Sequence, residues 1–205
     1  MIVIQCWVEG TMSILLNRAT EEALSGRTRS NNPGEQEDPR TIAERGVYRL
    51  PSGQLAVPGG AFARMIREAG GSHKAKGSRK SLKYIVPAAC VVMDDVCGLY
   101  LNDRKTPIVD YEVDSRPVTI PATKGRIMRH RARVNEWSCG VKLRINENIL
   151  DDAMIRKLMV EGITQNGIGD YRPEKGGPFG VGDVVAWDII SVPKPKTIAQ
   201  LRAAG

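Results

Sequence analysis

Aromatic residues are scarce in this chain: three Trp, five Tyr and two Phe in 205 residues. With hydrophobic residues at 41%, the core has to be built mainly from aliphatic side chains. Histidine is scarcer still, limited to His73 and His130. The four cysteines, Cys6, Cys90, Cys97 and Cys139, form no C-x-x-C pair. That spacing excludes a zinc knuckle and favours reduced, buried thiols over a disulfide framework. H-E-x-x-H, G-x-S-x-G and any Cys/His cluster are missing, so no metal and no cofactor is expected. No apolar run approaches the roughly 20 residues that cross a bilayer. The opening Met1-Ile2-Val3-Ile4-Gln5 lacks the charged start and small-residue cleavage site of a signal peptide. The expectation is a protein that stays in the cytoplasm where it is made and has no membrane partner.

What is abundant is positive charge. The net charge is +7, and two stretches without a single acid hold the excess. Ser72 to Lys83 carries Lys74, Lys76, Arg79, Lys80 and Lys83 beside His73. Lys124 to Arg133 carries Lys124, Arg126, Arg129, Arg131 and Arg133 beside His130. Charge concentrated in this way is the footprint of a polyanion partner. Read as an extended hairpin, the second stretch places Arg126, Arg129, Arg131 and Arg133 on one face as a comb for phosphates, with His130 turned the other way beside Met128 and Ala132. A solvated charged ribbon, and a disordered basic tether for 72–83, are the alternatives.

The apolar pattern divides the chain into elements. Residues 2–9 read as a buried strand, followed by a second apolar piece from Met12 to Leu16. The polar stretch Asn17 to Arg45 reads as a long loop with a helical turn at Thr20–Leu24. A helix from Gly60 to Ala69 has Phe62, Met65, Ile66 and Ala69 on one face. Tyr84 to Met93 reads as a strand, and Asp94 to Thr123 as irregular with short extended pieces. Cys139, Val141, Leu143 and Ile145 alternate with Gly140, Lys142 and Arg144, the mark of a half-buried strand. A helix starts at Asn148 or Asp151 and ends near Gly162, and Val184 to Ile190 is a last strand. Residues 191–205 read as a tail. The fold class is therefore α+β, in the ferredoxin-like (RRM-like) order βαββαβ with long insertions at about 17–45 and 94–136 in a single domain, 1–190.

The most distinctive segment runs from Asn166 to Gly180, and six glycines lie between Gly167 and Gly182. No Gly-Lys-Ser/Thr follows, which excludes a Walker A loop, and no βαβ unit frames it as a dinucleotide fingerprint. Gly167, Gly169, Gly176 and Gly177, with Arg172 and Lys175 among them, can point backbone N–H groups at phosphate oxygens. A long turn whose glycines relieve strain is the structural alternative. Tyr171 and Phe179 can each stack on a base, and Phe179 can equally plug the seam between helices and sheet. Core packing is the default for Trp7, Trp137 and Trp187.

A glycine-rich loop after the second helix and before the last strand resembles the RAMP superfamily, the ferredoxin-like proteins that bind guide RNA in CRISPR effector complexes. The backbone-forming, filament-making subunits match best, and residues 94–136 sit where their thumb insertion lies, between the second and third strands. The chain is also similar to phage and prophage proteins in Leu15-Leu16-Asn17, in the Arg-rich stretch Arg129 to Trp137, and in Gly167-x-Gly-Asp-x-Arg-Pro. It departs from the pattern at Val181-Gly182, where a basic residue and an aromatic belong. The resemblance implies sequence-independent binding of single-stranded RNA or DNA, RNA first. It also implies head-to-tail self-association and other effector subunits as partners. The residues expected to carry binding are Lys74, Lys76, Arg79, Lys80, Arg126, Arg129, Arg131, Arg133, Gly167, Gly169, Tyr171, Arg172, Lys175, Gly176 and Gly177. A binding protein is expected ahead of an enzyme. The alternatives are a metal-independent ribonuclease using His73 or His130 as base, or Asp38 in the filament-subunit manner, and a phage-encoded decoy of a backbone subunit.

Overall fold

The opening apolar run becomes an interior strand of a sheet. In the computed structural model, which describes residues 1–19, 37–119 and 124–190, strand β1 (Ile2–Gly10) lies between two antiparallel neighbours near the chain's other end. Its register sets Ile4 opposite Leu143, Cys6 opposite Val141 and Val8 opposite Cys139. All six side chains are fully buried, as a period of two requires when one sheet face is covered.

Further strands widen this sheet: β3 (Tyr48–Arg49), β4 (Leu55–Pro58), β5 (Cys90–Val92), β6 (Val96–Tyr100), β9 (Ser138–Ile145) and β10 (Gly182–Ile190). The order is β10-β1-β9-β6-β4-β3, with β5 pairing β9 beside β6. Two helices supply the cover, α2 (Gly59–Ala69) through Phe62, Met65, Ile66 and Ala69, and α4 (Asp152–Glu161) through Ile155, Leu158 and Met159. They pack on one another and share one hydrophobic cluster with β1 and β9. Asp151 caps α4: its carboxylate accepts from the Met154 N–H at 2.7 Å. Asp151→Ala is expected to cost about 1 kcal/mol, read as a lower urea midpoint with unchanged slope. Asp152→Ala, which removes only charge from the same turn, should cost less.

A second, three-stranded sheet has the order β2-β8-β7, from β2 (Ile14–Leu16), β7 (Glu112–Thr119) and β8 (Arg126–Val134). Helix α1 (Pro39–Arg45) packs on β7 and β8. Around it Glu44 takes a 2.6 Å ion pair from Arg49 and a 2.8 Å hydrogen bond from the Tyr111 hydroxyl, and Arg40 stacks on the Tyr111 ring and binds Asp110. The base of the hairpin is thereby anchored.

Three expectations need correction. Tyr84–Met93 is not one strand: a 3-10 turn (Leu82–Tyr84) and the short helix α3 (Val86–Ala89) come first, and only Cys90–Val92 pairs. Pro87 has its φ fixed near the helical value and no N–H to give a ladder, so it opens a helical turn. Asp94–Thr123 is not irregular, since it holds β6 and most of a long hairpin arm. Pro117 disguised that arm, yet β7 is an edge strand, where a missing N–H is tolerated. The stretch 17–45 contains α1, begun by Pro39 and by Asp38, whose carboxylate accepts from the Thr41 N–H at 3.0 Å. The helical turn placed at Thr20–Leu24 lies outside the described residues.

Candidate nucleic-acid interface

Strands β7 and β8 pair without interruption from Glu112↔Arg133 to Thr119↔Arg126. Strict alternation then puts Arg129, Arg131 and Arg133 on one face with Arg116 and Asp114, and Arg126 on the other with Met128 and His130. Arg126 is therefore not part of the comb expected of it, because it stands an odd number of residues from the others. The outer half of the hairpin is solvated, with Arg126, Ile127, Met128 and Arg129 exposed, whereas Arg131 and Ala132 are buried.

The glycine segment closes over the buried half. After α4 the chain makes a π turn (Gly162–Asn166), then a 3-10 turn (Pro173–Lys175). It threads past β2, with the Asp170 N–H donating to the Leu15 carbonyl at 2.8 Å and the Gly180 N–H to the Ser13 carbonyl at 2.9 Å. Gly169 and Gly180 hold φ of +80° and +71°, the left-handed region that glycine enters at little cost. Three of the backbone amides of this segment are already committed. The N–H groups of Gly167, Gly176 and Gly177 donate to the carbonyls of Gly162, Pro173 and Arg172. A closed loop satisfies its own donors, so these three glycines shape the segment rather than cradle an anion.

Side chains weld this loop to the hairpin. The Asp170 carboxylate takes a 2.6 Å ion pair from Arg131 and a 2.9 Å hydrogen bond from the Asn17 amide. Burial pushes its pKa up, but the Asn17 hydrogen bond and the Arg131 charge outweigh burial and hold it below the ordinary carboxylate value. The Arg116 guanidinium stacks on the Phe179 ring at 4.6 Å, and Tyr171 lies 6.1 Å from that ring. Phe179 is buried, while Tyr171 is exposed and sits at a φ of +48°. Phe179 is thus the plug of this seam and Tyr171 its accessible ring.

The glycine segment and the arginine ribbon meet on one surface, and acids neutralise part of it. Arg131 is spent on Asp170; Arg172 on Glu174 and the Gly169 carbonyl; Arg116 on Asp114. Arg133 bonds the Ser13 hydroxyl. Arg131 and Arg172 are therefore removed from the set free to meet phosphate, since a guanidinium withdrawn from water needs a fixed partner. Among the described residues, Arg126, Arg129 and Lys175 make no ion pair, nor do Lys74, Lys76, Arg79 and Lys80. Those last four ride on a small turn in which Lys74 bridges Ser81 and the Ala75 N–H donates to the Lys80 carbonyl. That turn is moored to the helices by His73 on Glu161 at 2.5 Å and by Lys83 on Glu68 at 2.6 Å.

Both histidines are occupied, His73 by Glu161 and His130 by the Ser115 hydroxyl at 2.7 Å. Asp38 is a helix cap. No group of His, Cys, Asp and Glu suited to a metal occurs among the described residues. Asp170, Asn17 and Arg116 are residues of this surface that were not among those expected to carry binding. Asp170 stands inside the Gly-x-Gly-Asp-x-Arg-Pro pattern, so a signal existed; Arg116 fell in a stretch read as irregular.

The class these features define is an α+β protein with antiparallel sheets and no helix, among the described residues, long and apolar enough to cross a membrane. No family model matches the sequence, and no curated protein matches it. A structural match is found to a chain in the cryo-EM structure of type III-B Cmr-beta bound to cognate target RNA, with a TM-score of 0.55 and 9% identity over 92% of this chain. The likeness is one of fold. This chain spans 60% of that chain's length.

Proposed function

We propose that this chain is a RAMP-like protein that grips single-stranded nucleic acid, RNA foremost, by its backbone and without regard to sequence. The observation that carries the reading is the weld of the glycine segment to the base of the β7–β8 hairpin. It sets Arg129, which makes no ion pair among the described residues, on an arm whose foot is fixed, on the same hairpin face as Arg116, which stacks on Phe179 next to the exposed Tyr171 of the loop. Guanidinium and ammonium groups without acid partners, held on a rigid support, bind phosphate and release counterions. Tyr171 adds a ring for an unstacked base.

Two further observations support it. The order β10-β1-β9-β6, with α2 and α4 on one face, supports reading this part of the sheet as a ferredoxin-like βαββαβ core, with β5 and β6 taken together as its second strand. We read residues 1–190 as that single domain and the hairpin, inserted between second and third core strands, as its thumb. The structural neighbour is a chain from a structure of Cmr-beta bound to cognate target RNA. In this reading the protein is a repeating cytoplasmic subunit of a nucleoprotein assembly, joined head to tail and to other effector subunits, and Lys74, Lys76, Arg79 and Lys80 extend its cationic track.

The test is fluorescence anisotropy of a labelled single-stranded RNA across a salt series. The wild-type protein should bind with a steep salt slope and leave the strand intact. Arg129→Ala with Lys175→Ala should weaken binding by about tenfold on every sequence and shallow the slope by about 1.4, the share of two phosphates on a single strand. An unchanged slope removes the hairpin from the interface.

A further inference from the structure

The face of the main sheet turned away from α2 and α4, on which no helix packs among the described residues, carries a second constellation. Residues on β1 that point away from the helices are Val3, Gln5, Trp7 and Glu9, and their neighbours across β9 are Arg144, Lys142, Gly140 and Ser138. Trp7 is partly exposed and lies directly over Gly140. A Cβ on Gly140 would stand 3.0 Å from Trp7 Cζ2 and 3.1 Å from both Trp7 Cε2 and Gln5 Nε2. Glycine inside a strand weakens it and marks close approach by another group. Here the missing side chain lets the indole lie down on the sheet. Tyr100, on the far side of Gly140, props it edge-on, with ring centroids 5.6 Å apart and planes at 67°. A flat indole braced by a second ring is what a planar ligand needs.

The surroundings are polar and sided. Lys142 and Arg144 project from the same face of β9, both exposed, and neither makes an ion pair among the described residues. Asp188 stands across β1 opposite Gln5, Glu9 closes the end of the row, and Asp94 accepts the Lys142 backbone N–H at 2.9 Å. Positive charge thus lies along β9, and Asp188 lies on the β10 side. Among the described residues, the Gln5 side chain between them makes only a long 3.4 Å bond to the Cys6 carbonyl, which leaves most of its amide's donor and acceptor capacity unused there. A ring platform, an underused carboxamide and a cationic rail on one side match a nucleotide: base on the indole, base edge at Gln5, phosphates along Lys142 and Arg144.

We infer that this sheet face is a second nucleic-acid contact, where one unpaired base of a single strand stacks on Trp7 while the adjoining phosphates run along β9. The inference does not rest on the hairpin reading, since it shares no residue with it. Stacking of this kind accepts any base. The acidic β10 side fixes the direction in which the backbone leaves.

Titration with the single strands oligo(U) and oligo(dT), each about 12 nucleotides long, tests it, read by tryptophan quenching and by anisotropy. Trp7→Leu should abolish most of the quench and weaken binding about tenfold, and Trp7→Phe should restore most of that affinity. Lys142→Ala with Arg144→Ala touches only exposed side chains, so it reports even if Trp7→Leu folds poorly; it should shallow the salt slope by about 1.4. Loss of binding in these variants while Arg129→Ala with Lys175→Ala is silent upholds the sheet face and defeats the hairpin. The reverse pattern, or no binding by either oligonucleotide, overturns the sheet face. Self-association without nucleic acid that disappears in the Lys142/Arg144 variant also overturns it and assigns the face to a second copy.

Discussion

Gly180→Ala is expected to lower stability by about 3 kcal/mol or more, among the largest effects of any single methyl group in this protein. Two costs combine at the position. Its φ of +71° is one that alanine adopts at a penalty of about 1 kcal/mol. The new Cβ would also stand 1.8 Å from the Ile168 carbonyl oxygen, and that atom is backbone, which no rotamer change can move aside. Nor is the backbone free to yield. The Gly180 carbonyl accepts the Ile168 N–H at 2.9 Å while the Gly180 N–H donates to Ser13, so retreat on either side breaks a buried hydrogen bond. Gly176→Ala is the matched control. Its φ of +78° is as unfavourable, but nothing lies within 4 Å of its Cβ, and its cost should stay near 1 kcal/mol. Urea midpoints of the two variants separate conformational strain from collision. Equal losses would refute the view that this loop is closed by contact.

How far the chain announced this arrangement varies with the physics of each part. Strands β1 and β9 were legible because β9 alternates cleanly and β1 is a short, largely apolar run stopped by Gly10. The helices α2 and α4 were legible through their apolar stripes, and the start of α4 through Asp151. The hairpin arm β7 was hidden because Pro117 and alternating charge suppress strand signals that only its edge position excuses. Tyr84–Met93 misled because β-branched residues surround Pro87, whose ring decided the backbone. In the candidate interface, the positive runs were visible, but which cations remain unpaired was not. Arg131 and Arg129 look alike in sequence. One is buried on Asp170, 39 residues away, and the other is exposed, a distinction made by long-range packing. The glycines were read for the anions they can bind, whereas the N–H groups of Gly167, Gly176 and Gly177 are spent on nearby backbone carbonyls.

That distinction has an energetic consequence. A guanidinium at the foot of the hairpin costs free energy to bury and returns it only while its partner is ionised and in place. Asp170→Ala should therefore destabilise the protein by about 2–4 kcal/mol. Arg131, only 8% exposed, would be left as an uncompensated charge, and the Asn17 amide and the Tyr171 N–H would lose their acceptor as well. Arg131→Met combined with Asp170→Ala should recover much of the loss. A double-mutant cycle that returns a coupling near zero would show that the pair does not act as a unit. The pH dependence has a definite sign. Asp170 has a folded-state pKa below its unfolded value of about 3.9, so the folded state binds this proton less readily than the unfolded chain does. Its contribution is complete above the unfolded value and drains away as pH falls through the folded one. Asp170→Asn keeps the shape but has no proton to take up, so its stability curve should run flatter than wild type across the acid range. The same titration carries a message for binding. If the weld is what holds Arg129 and Lys175 in one track, Asp170→Asn should weaken nucleic-acid affinity at neutral pH without touching any residue that meets phosphate, and should do so by loosening the arm's foot.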